Sequence, residues 1–160
     1  MKKRLPSEIV NFCYNYAIKN WMYYKDSPDN PRTEGQKKAD VFRGLMGEFA
    51  CKYDLNEAGI WVSEVYTGPK YDDGRDLKTK KETINVKTVK GLNYDSGLDR
   101  KLLKNPNGWD KGTIYVMYAI YPTFEYKFVG FIDSESAKKA DIILLEKIYH
   151  NFNDLVSKLR

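Results

Sequence analysis

Residues 72–90 read DDGRDLKTKKETINVKTVK, and the reading of this stretch decides the fold. It predicts two short strands joined by a charged turn, with Asp76 closing the first strand and Ile84 to Val89 forming the second. Alternate residues of a strand share a face. Ile84, Val86 and Thr88 therefore point towards a core, and Asn85, Lys87 and Val89 point the other way. Pairing of the two strands brings Asp76 close to Asn85 and Lys87. A carboxylate, an amide and an ammonium then lie on one side of a small sheet.

Working outward, a helix is predicted upstream from about Lys37 to Leu55, with Val41, Phe42, Leu45, Met46, Phe49 and Tyr53 as its apolar face. Glu48 falls about 100° from the centre of that face, on its shoulder. Gly44, one turn earlier, leaves space above the glutamate. A lone helix glutamate is ordinarily a solvated surface group. Its combination with Asp76 and Lys87 marks it as a candidate functional residue.

The constellation of Glu48 on a helix, Asp76 at a strand end and Asn85-Val86-Lys87 on the next strand resembles the PD-(D/E)xK nuclease superfamily, the restriction-endonuclease-like fold. The wording D-x-G-x-D-L followed by I-N-V-K-T carries the resemblance, which spans roughly residues 40 to 135. Two departures stand out: the acid of the acid-x-Lys triplet is the amide Asn85, and Arg75 precedes Asp76 where the family name has proline. A chain this rich in charge holds roughly four acid-x-Lys or acid-x-Arg triplets by chance, Asp76-Leu77-Lys78 among them, so context carries the weight.

The resemblance implies a Mg²⁺-dependent endonuclease, with Mn²⁺ as substitute. Hard Mg²⁺ takes oxygen ligands and keeps several waters. Asp76 is the implied central ligand, Glu48 binds directly or through water, and Asn85 and the Val86 carbonyl complete the set. Lys87 holds the attacking water or stabilises charge on the phosphate. An amide at position 85 brings no negative charge, which costs a few kcal/mol beside the ion, to order of magnitude. Three readings of Asn85 stand: a substitution made to inactivate, a natural variant that still works with Glu48 compensating, or a member that has lost catalysis and kept nucleic-acid binding. The alternative function is accordingly a non-catalytic nucleic-acid-binding or protein-interaction module on the same scaffold. A further alternative is an adaptor of unrelated α/β fold.

The basic residues supply candidate phosphate contacts: Lys78, Lys80 and Lys81 in the turn between the two strands, then Lys90, Arg100, Lys101 and Lys104. For any single one of them a solvated surface role is the ordinary expectation. DNA is expected in preference to RNA. Tyr94, beside these residues, is a candidate for stacking on a base. Cutting both strands of a duplex with one site per chain calls for a homodimer or two sequential visits. His150, the one histidine, lies outside the motif and reads as structural or exposed.

The flanking sequence supplies the rest of an α/β fold. A helix is predicted over residues 7 to 24, capped by Ser7, then a loop over 26 to 35 with two prolines and a terminal glycine. Residues 60 to 66, IWVSEVY, read as a strand, with Trp61 and Val65 on one face and Ile60, Val62 and Glu64 on the other. A loop from Gly91 to Gly112 holds a short helix around Leu98 to Leu103. Segments 113–121 and 125–132 are strands rich in β-branched and aromatic residues, joined as a hairpin by Pro122-Thr123-Phe124. A short helix follows through Ala140. DIILLE is open between strand and helix, and a closing helix covers roughly Asn153 to Lys158. The expected architecture is a mixed central sheet of about five strands flanked by helices.

Composition agrees. A chain of 160 residues suits one domain, and 42% hydrophobic with 31% charged residues fits a soluble globular protein. There is no apolar run of membrane-spanning length, no partner role for a membrane, and no signal peptide, so a cytoplasmic address is the default expectation. A net charge of +5 is compatible with a phosphate-backbone partner. Cys13 and Cys51 have no C-x-x-C spacing and sit in apolar helical patterns, which disfavours zinc ribbons and iron–sulfur clusters.

Overall fold

The computed structural model describes residues 1–24, 29, 31–68, 76–103, 113–137 and 142–160. A two-residue strand β1 (Lys3–Arg4) leads into helix α1 (Ser7–Asn20), which ends in a 3-10 turn at Trp21–Tyr23. Pro6, not Ser7, occupies the N-terminal cap of α1, and its carbonyl accepts from Ile9 and Val10 N–H at 3.0 and 3.1 Å. The long helix α2 (Glu34–Glu57) starts three residues before the predicted point. The reason is a capping box. Gln36 N–H donates to Thr33 Oγ1 at 3.2 Å while Thr33 N–H donates to Gln36 Oε1 at 2.8 Å.

Next come β2 (Leu77–Lys78), β3 (Thr83–Lys90), the short helix α3 (Gly91–Asp95), β4 (Lys101–Leu103), β5 (Thr113–Ile120) and β6 (Glu125–Asp133). The chain closes with α4 (Ser134–Ala137), β7 (Ile142–Leu144), a 3-10 turn at Leu145–Lys147 and α5 (Phe152–Leu159). The described strands form a mixed five-stranded sheet in the order β1-β6-β5-β3-β2, plus a small antiparallel pair β4-β7. Within the large sheet only β3 and β5 run parallel, with Val86 opposite Val116 and Lys87 opposite Met117. The architecture is thus mixed α/β, five strands with flanking helices, as the sequence predicts.

Two cores cover the two faces of the sheet. Helices α1, α2 and α5 bury Cys13, Met46, Ala50, Cys51, Leu55 and Leu155 with Leu77, Ile84, Val86 and Tyr118. On the other face Val89, Tyr115, Met117 and Val129 meet Ile143, Leu145 and Ile148. Ile84 and Val86 in the first core and Val89 in the second confirm the alternation predicted for β3.

Four expectations are corrected. Residues 60 to 66 form no strand, although Ile60, Val62 and Val65 are buried and Trp61 is exposed. Ser63 N–H donates to the Lys78 carbonyl at 2.9 Å, but Lys78 N–H donates back to Ser63 Oγ rather than to its carbonyl, also at 2.9 Å, so the side chain replaces the second backbone rung that a ladder needs. The fifth strand is instead β1, antiparallel to β6 with Lys3 opposite Tyr126. Asp76 is not itself in a strand and lies just before β2, and the residues expected to lead into it, 71–75, lie outside the described residues. The helix expected around Leu98 to Leu103 is β4, which pairs with β7 through Leu102 and Ile143, and that pairing also makes DIILLE start as a strand. The predicted turn residues 105–108, the loop residues 26–28 and Ala140 lie outside the described residues.

Candidate functional site

The site is built from the edge of β3. The β2–β3 ladder is only two residues long, Leu77 opposite Ile84 and Lys78 opposite Thr83. The turn between them is closed by Thr79, whose Oγ1 donates to the Glu82 carbonyl at 2.9 Å and accepts from Glu82 N–H at 3.0 Å. One step beyond this ladder Asp76 falls opposite Asn85. Its carboxylate seats on the edge of β3: Val86 N–H donates to Asp76 Oδ2 at 2.6 Å. Such a charge-assisted bond fixes the carboxylate on the strand edge. The N–H and C=O of a strand residue point to the same side, so the Val86 carbonyl is aimed at the same edge. Among the described residues no strand covers this side of β3 beyond Ile84.

Glu48 approaches from α2. It borders a cavity of about 140 Å³ with Tyr24, Arg32, Asp40, Gly44 and Tyr66. A Cβ added at Gly44 would meet no atom within 4 Å, so the expected space beside the glutamate is present. The Cys51 thiol is wholly buried, and burial first, then the charges of Asp54, Asp76 and Glu48, push its pKa well above the usual value. Burial and Glu48 push Cys13 up to about 12. Both cysteines are therefore neutral at physiological pH and act as packing, not as nucleophiles.

Asn85 and Lys87 alternate to the face away from α2. Asn85 is 2% exposed, and Lys87, opposite Met117, is half-buried. The structure thus joins Asp76 to Val86 directly, and it leaves Asn85 and Lys87 on the face of β3 opposite to α2 and Glu48. Among the described residues no three His, Cys, Asp or Glu side chains come together as a metal-binding group. Two carboxylates and a carbonyl are nonetheless an oxygen set of the kind Mg²⁺ accepts, since that ion commonly uses one or two carboxylates, waters and substrate phosphates.

The predicted phosphate contacts divide into two zones. Exposed Lys78, Lys80 and Lys81 sit at the β2–β3 turn, where Lys81 Nζ donates to the Arg160 carbonyl at 2.8 Å. Exposed Lys90, Arg100 and Lys101 belong to the opposite end of β3 and to β4. The length of β3 separates Thr83 from Lys90 by about 23 Å. Lys104 lies outside the described residues. The Tyr94 ring is half-buried, with the Arg100 guanidinium 4.5 Å and the Lys127 ammonium 5.7 Å from its centre. It is engaged by cations rather than presented for stacking. Exposed His150 places a ring nitrogen 2.9 Å from the Val129 carbonyl, a structural contact.

Residues the sequence reading missed surround Glu48. Asp40 bridges two arginines, bonding Arg32 at 2.8 Å and also Arg43. The i,i+3 spacing of Asp40 and Arg43 was a usable signal; the contact of Arg32 was not, because it crosses the helix start. No helix among the described residues is long and apolar enough to cross a membrane. No family model, curated protein or solved structure matches the chain.

Proposed function

We propose that this chain is a Mg²⁺-dependent nuclease of the restriction-endonuclease-like kind, hydrolysing phosphodiester bonds of nucleic acid, DNA in preference to RNA, at the edge of β3 where Asp76 is seated. The observation that carries the reading is the Asp76 carboxylate held on Val86 N–H where the described β2–β3 ladder ends, on the strand whose Val86 and Thr88 side chains pack against Gly47, the α2 residue before Glu48. Asp76, Glu48 and the Val86 carbonyl are the residues to hold the metal. Bound there, Mg²⁺ supplies Lewis acidity towards water and relief of phosphate charge. Val86 N–H orients Asp76. Lys87, the next residue along but on the opposite face of β3, is the cation that the resemblance assigns to the charge developing on the phosphate. One site per chain calls for a homodimer or two visits to cut a duplex.

Asn85 favours a second reading, a nucleic-acid-binding module without catalysis on the same scaffold. It is a buried amide where the resemblance calls for an acid. Cleavage of mixed DNA and RNA substrates with Mg²⁺ and with Mn²⁺ separates the two. The expected result is that the chain or its Asn85→Asp form cuts, and that Asp76→Asn lowers the rate about a hundredfold or more. Asp76→Asn keeps an oxygen for Val86 N–H while removing the charge, so its effect reports on chemistry rather than folding. Absence of cutting by every form across the panel rejects the nuclease and leaves the binding module.

A further inference from the structure

Three adjoining hollows run along the N-terminal half of α2. The first, beside Glu48, includes Arg32 and Asp40. The second, about 230 Å³, shares those two residues and adds Gln36, Ala39 and Lys90. The third, about 270 Å³, shares Ala39 and Lys90 and is otherwise mainly apolar, walled by Phe42, Leu92, Tyr121 and Phe124, with Arg43 at its side. Lys90 is four residues beyond Val86 on β3, about 13 Å along the strand. That is the rise of about four stacked nucleotides.

The third hollow is built around an unusual aromatic. Phe124 sits in the β5–β6 hairpin with φ of 63° and is 48% exposed. Positive φ is strained for a bulky side chain. In this conformation the turn places the ring beside the hollow, edge-on to Phe42 with centroids 5.9 Å apart. Cations border the same region. Lys90 is exposed, Arg43 shares the single carboxylate of Asp40 with Arg32, and Lys2 lies 4.0 Å from the centre of the Tyr121 ring. Acids are also near: Asp95 accepts from Tyr121 O–H at 2.9 Å, and Glu125 follows Phe124. The chemistry is an aromatic, apolar recess entered along a line of cations, which matches a flat base on a phosphate backbone.

We infer that the recess at Phe42, Tyr121 and Phe124 receives a nucleobase from an unpaired strand whose backbone follows Lys90 and Arg32 to the cavity beside Glu48. This rests on the nuclease reading and deepens it: the substrate carries a single-stranded segment, because a paired base is not available to enter a recess.

The test is fluorescence anisotropy with a fluorescein-labelled oligothymidylate, and with its duplex on oligodeoxyadenylate, in EDTA so that no cleavage occurs. Phe124→Gly removes the ring at a position whose backbone suits glycine, so the unfolding midpoint should hold or rise. The expected result is tighter binding of the single strand than of the duplex, with Phe124→Gly weakening the single strand about tenfold. Binding unchanged in Phe124→Gly, duplex bound as tightly as single strand, or no binding of either probe overturns the inference. Because the assay contains no metal, it is read separately from cleavage. If the Phe124 effect holds while no form cuts, the recess stands and the metal centre falls. If the chain cuts and Phe124→Gly binds normally, the reverse holds.

Discussion

Gly44 and Gly47 lie one helical turn apart on α2 and face opposite demands. A Cβ at Gly47 would sit 2.3 Å from Thr88 Cγ2 and 3.5 Å from Val86 Cγ1, so α2 approaches β3 only because position 47 has no side chain. Thr88 is β-branched and stiff, and the backbone must move to relieve the clash. Gly47→Ala should cost about 1–3 kcal/mol from overpacking, less whatever the better helix propensity returns. Gly44→Ala meets nothing within 4 Å and should stabilise by about 0.5–1 kcal/mol. Urea titrations of the two variants should therefore move their midpoints in opposite directions; parallel shifts would show that α2 sits differently on the sheet. Asp54 is the other residue on which the fold turns. Its buried carboxylate accepts from Tyr118 O–H at 2.9 Å, Tyr126 O–H at 3.0 Å and the Lys3 ammonium at 2.9 Å. Asp54→Ala strands two tyrosine hydroxyls and releases β1, and should cost about 3–5 kcal/mol. Tyr118→Phe, which removes one neutral donor, should cost about 1–2 kcal/mol. Equal losses for the two variants in urea unfolding would show that the carboxylate is not the centre of this network.

At the scale of elements, what was legible followed periodicity. Strands β3, β5 and β6 and helices α1, α2 and α5 stand within a few residues of their predicted places because apolar spacing and turn residues are local signals. Lys3–Arg4 has no apolar alternation, and β1 is a strand only by its pairing with β6, Lys3 opposite Tyr126, beside the Lys3–Asp54 bond that joins residues 51 apart. Leu102 pairs with Ile143 across a similar gap, so β4 could not be told from a helix locally. The same limit holds at the site: alternation in β3 was readable, but the seating of Asp76 on Val86 and the Arg32–Asp40 pair are tertiary contacts. One junction of elements has a pH-dependent consequence. Asp133, at the end of β6, accepts from Ser136 N–H at 2.7 Å in the first turn of α4 and faces Lys158 Nζ of α5 at 3.4 Å. Burial alone would raise its pKa, but the Ser136 bonds and the Lys158 charge outweigh it, and the carboxyl sits below its usual value. A lowered folded-state pKa contributes stability above the unfolded value of about 3.9, lost as pH falls through the folded pKa. Asp133→Ala should be destabilised by about 0.5–2 kcal/mol at neutral pH. Urea unfolding at stepped pH should show that gap narrowing below pH of about 4. A gap that stays constant into acid would mean that Asp133 acts without its charge.

At the scale of the whole molecule, the described candidate phosphate contacts are divided between the two ends of β3. The Lys80 and Lys81 end borders a surface hollow with Trp61, Leu159 and Arg160, beside the chain terminus. The Lys90 end is continuous with the cavities that lead to Glu48 and Phe124. If an extended strand passes along that line, only one end makes phosphate contacts during binding. Each phosphate neutralised by a lysine releases counterions and adds about one unit to the salt slope of affinity. Lys90→Gln should therefore weaken the oligothymidylate complex in EDTA and reduce its salt slope by about one. Lys80→Gln, exposed and at the far end, should leave both unchanged. Anisotropy titrations over a range of salt concentrations read the slope directly, and the slope distinguishes a lost phosphate contact from a general loss of positive field. Equal effects of the two substitutions would mean that the chain meets nucleic acid through net charge alone, without a track. A larger effect of Lys80→Gln would move the nucleic-acid interface to the β2–β3 turn and away from the Phe124 recess.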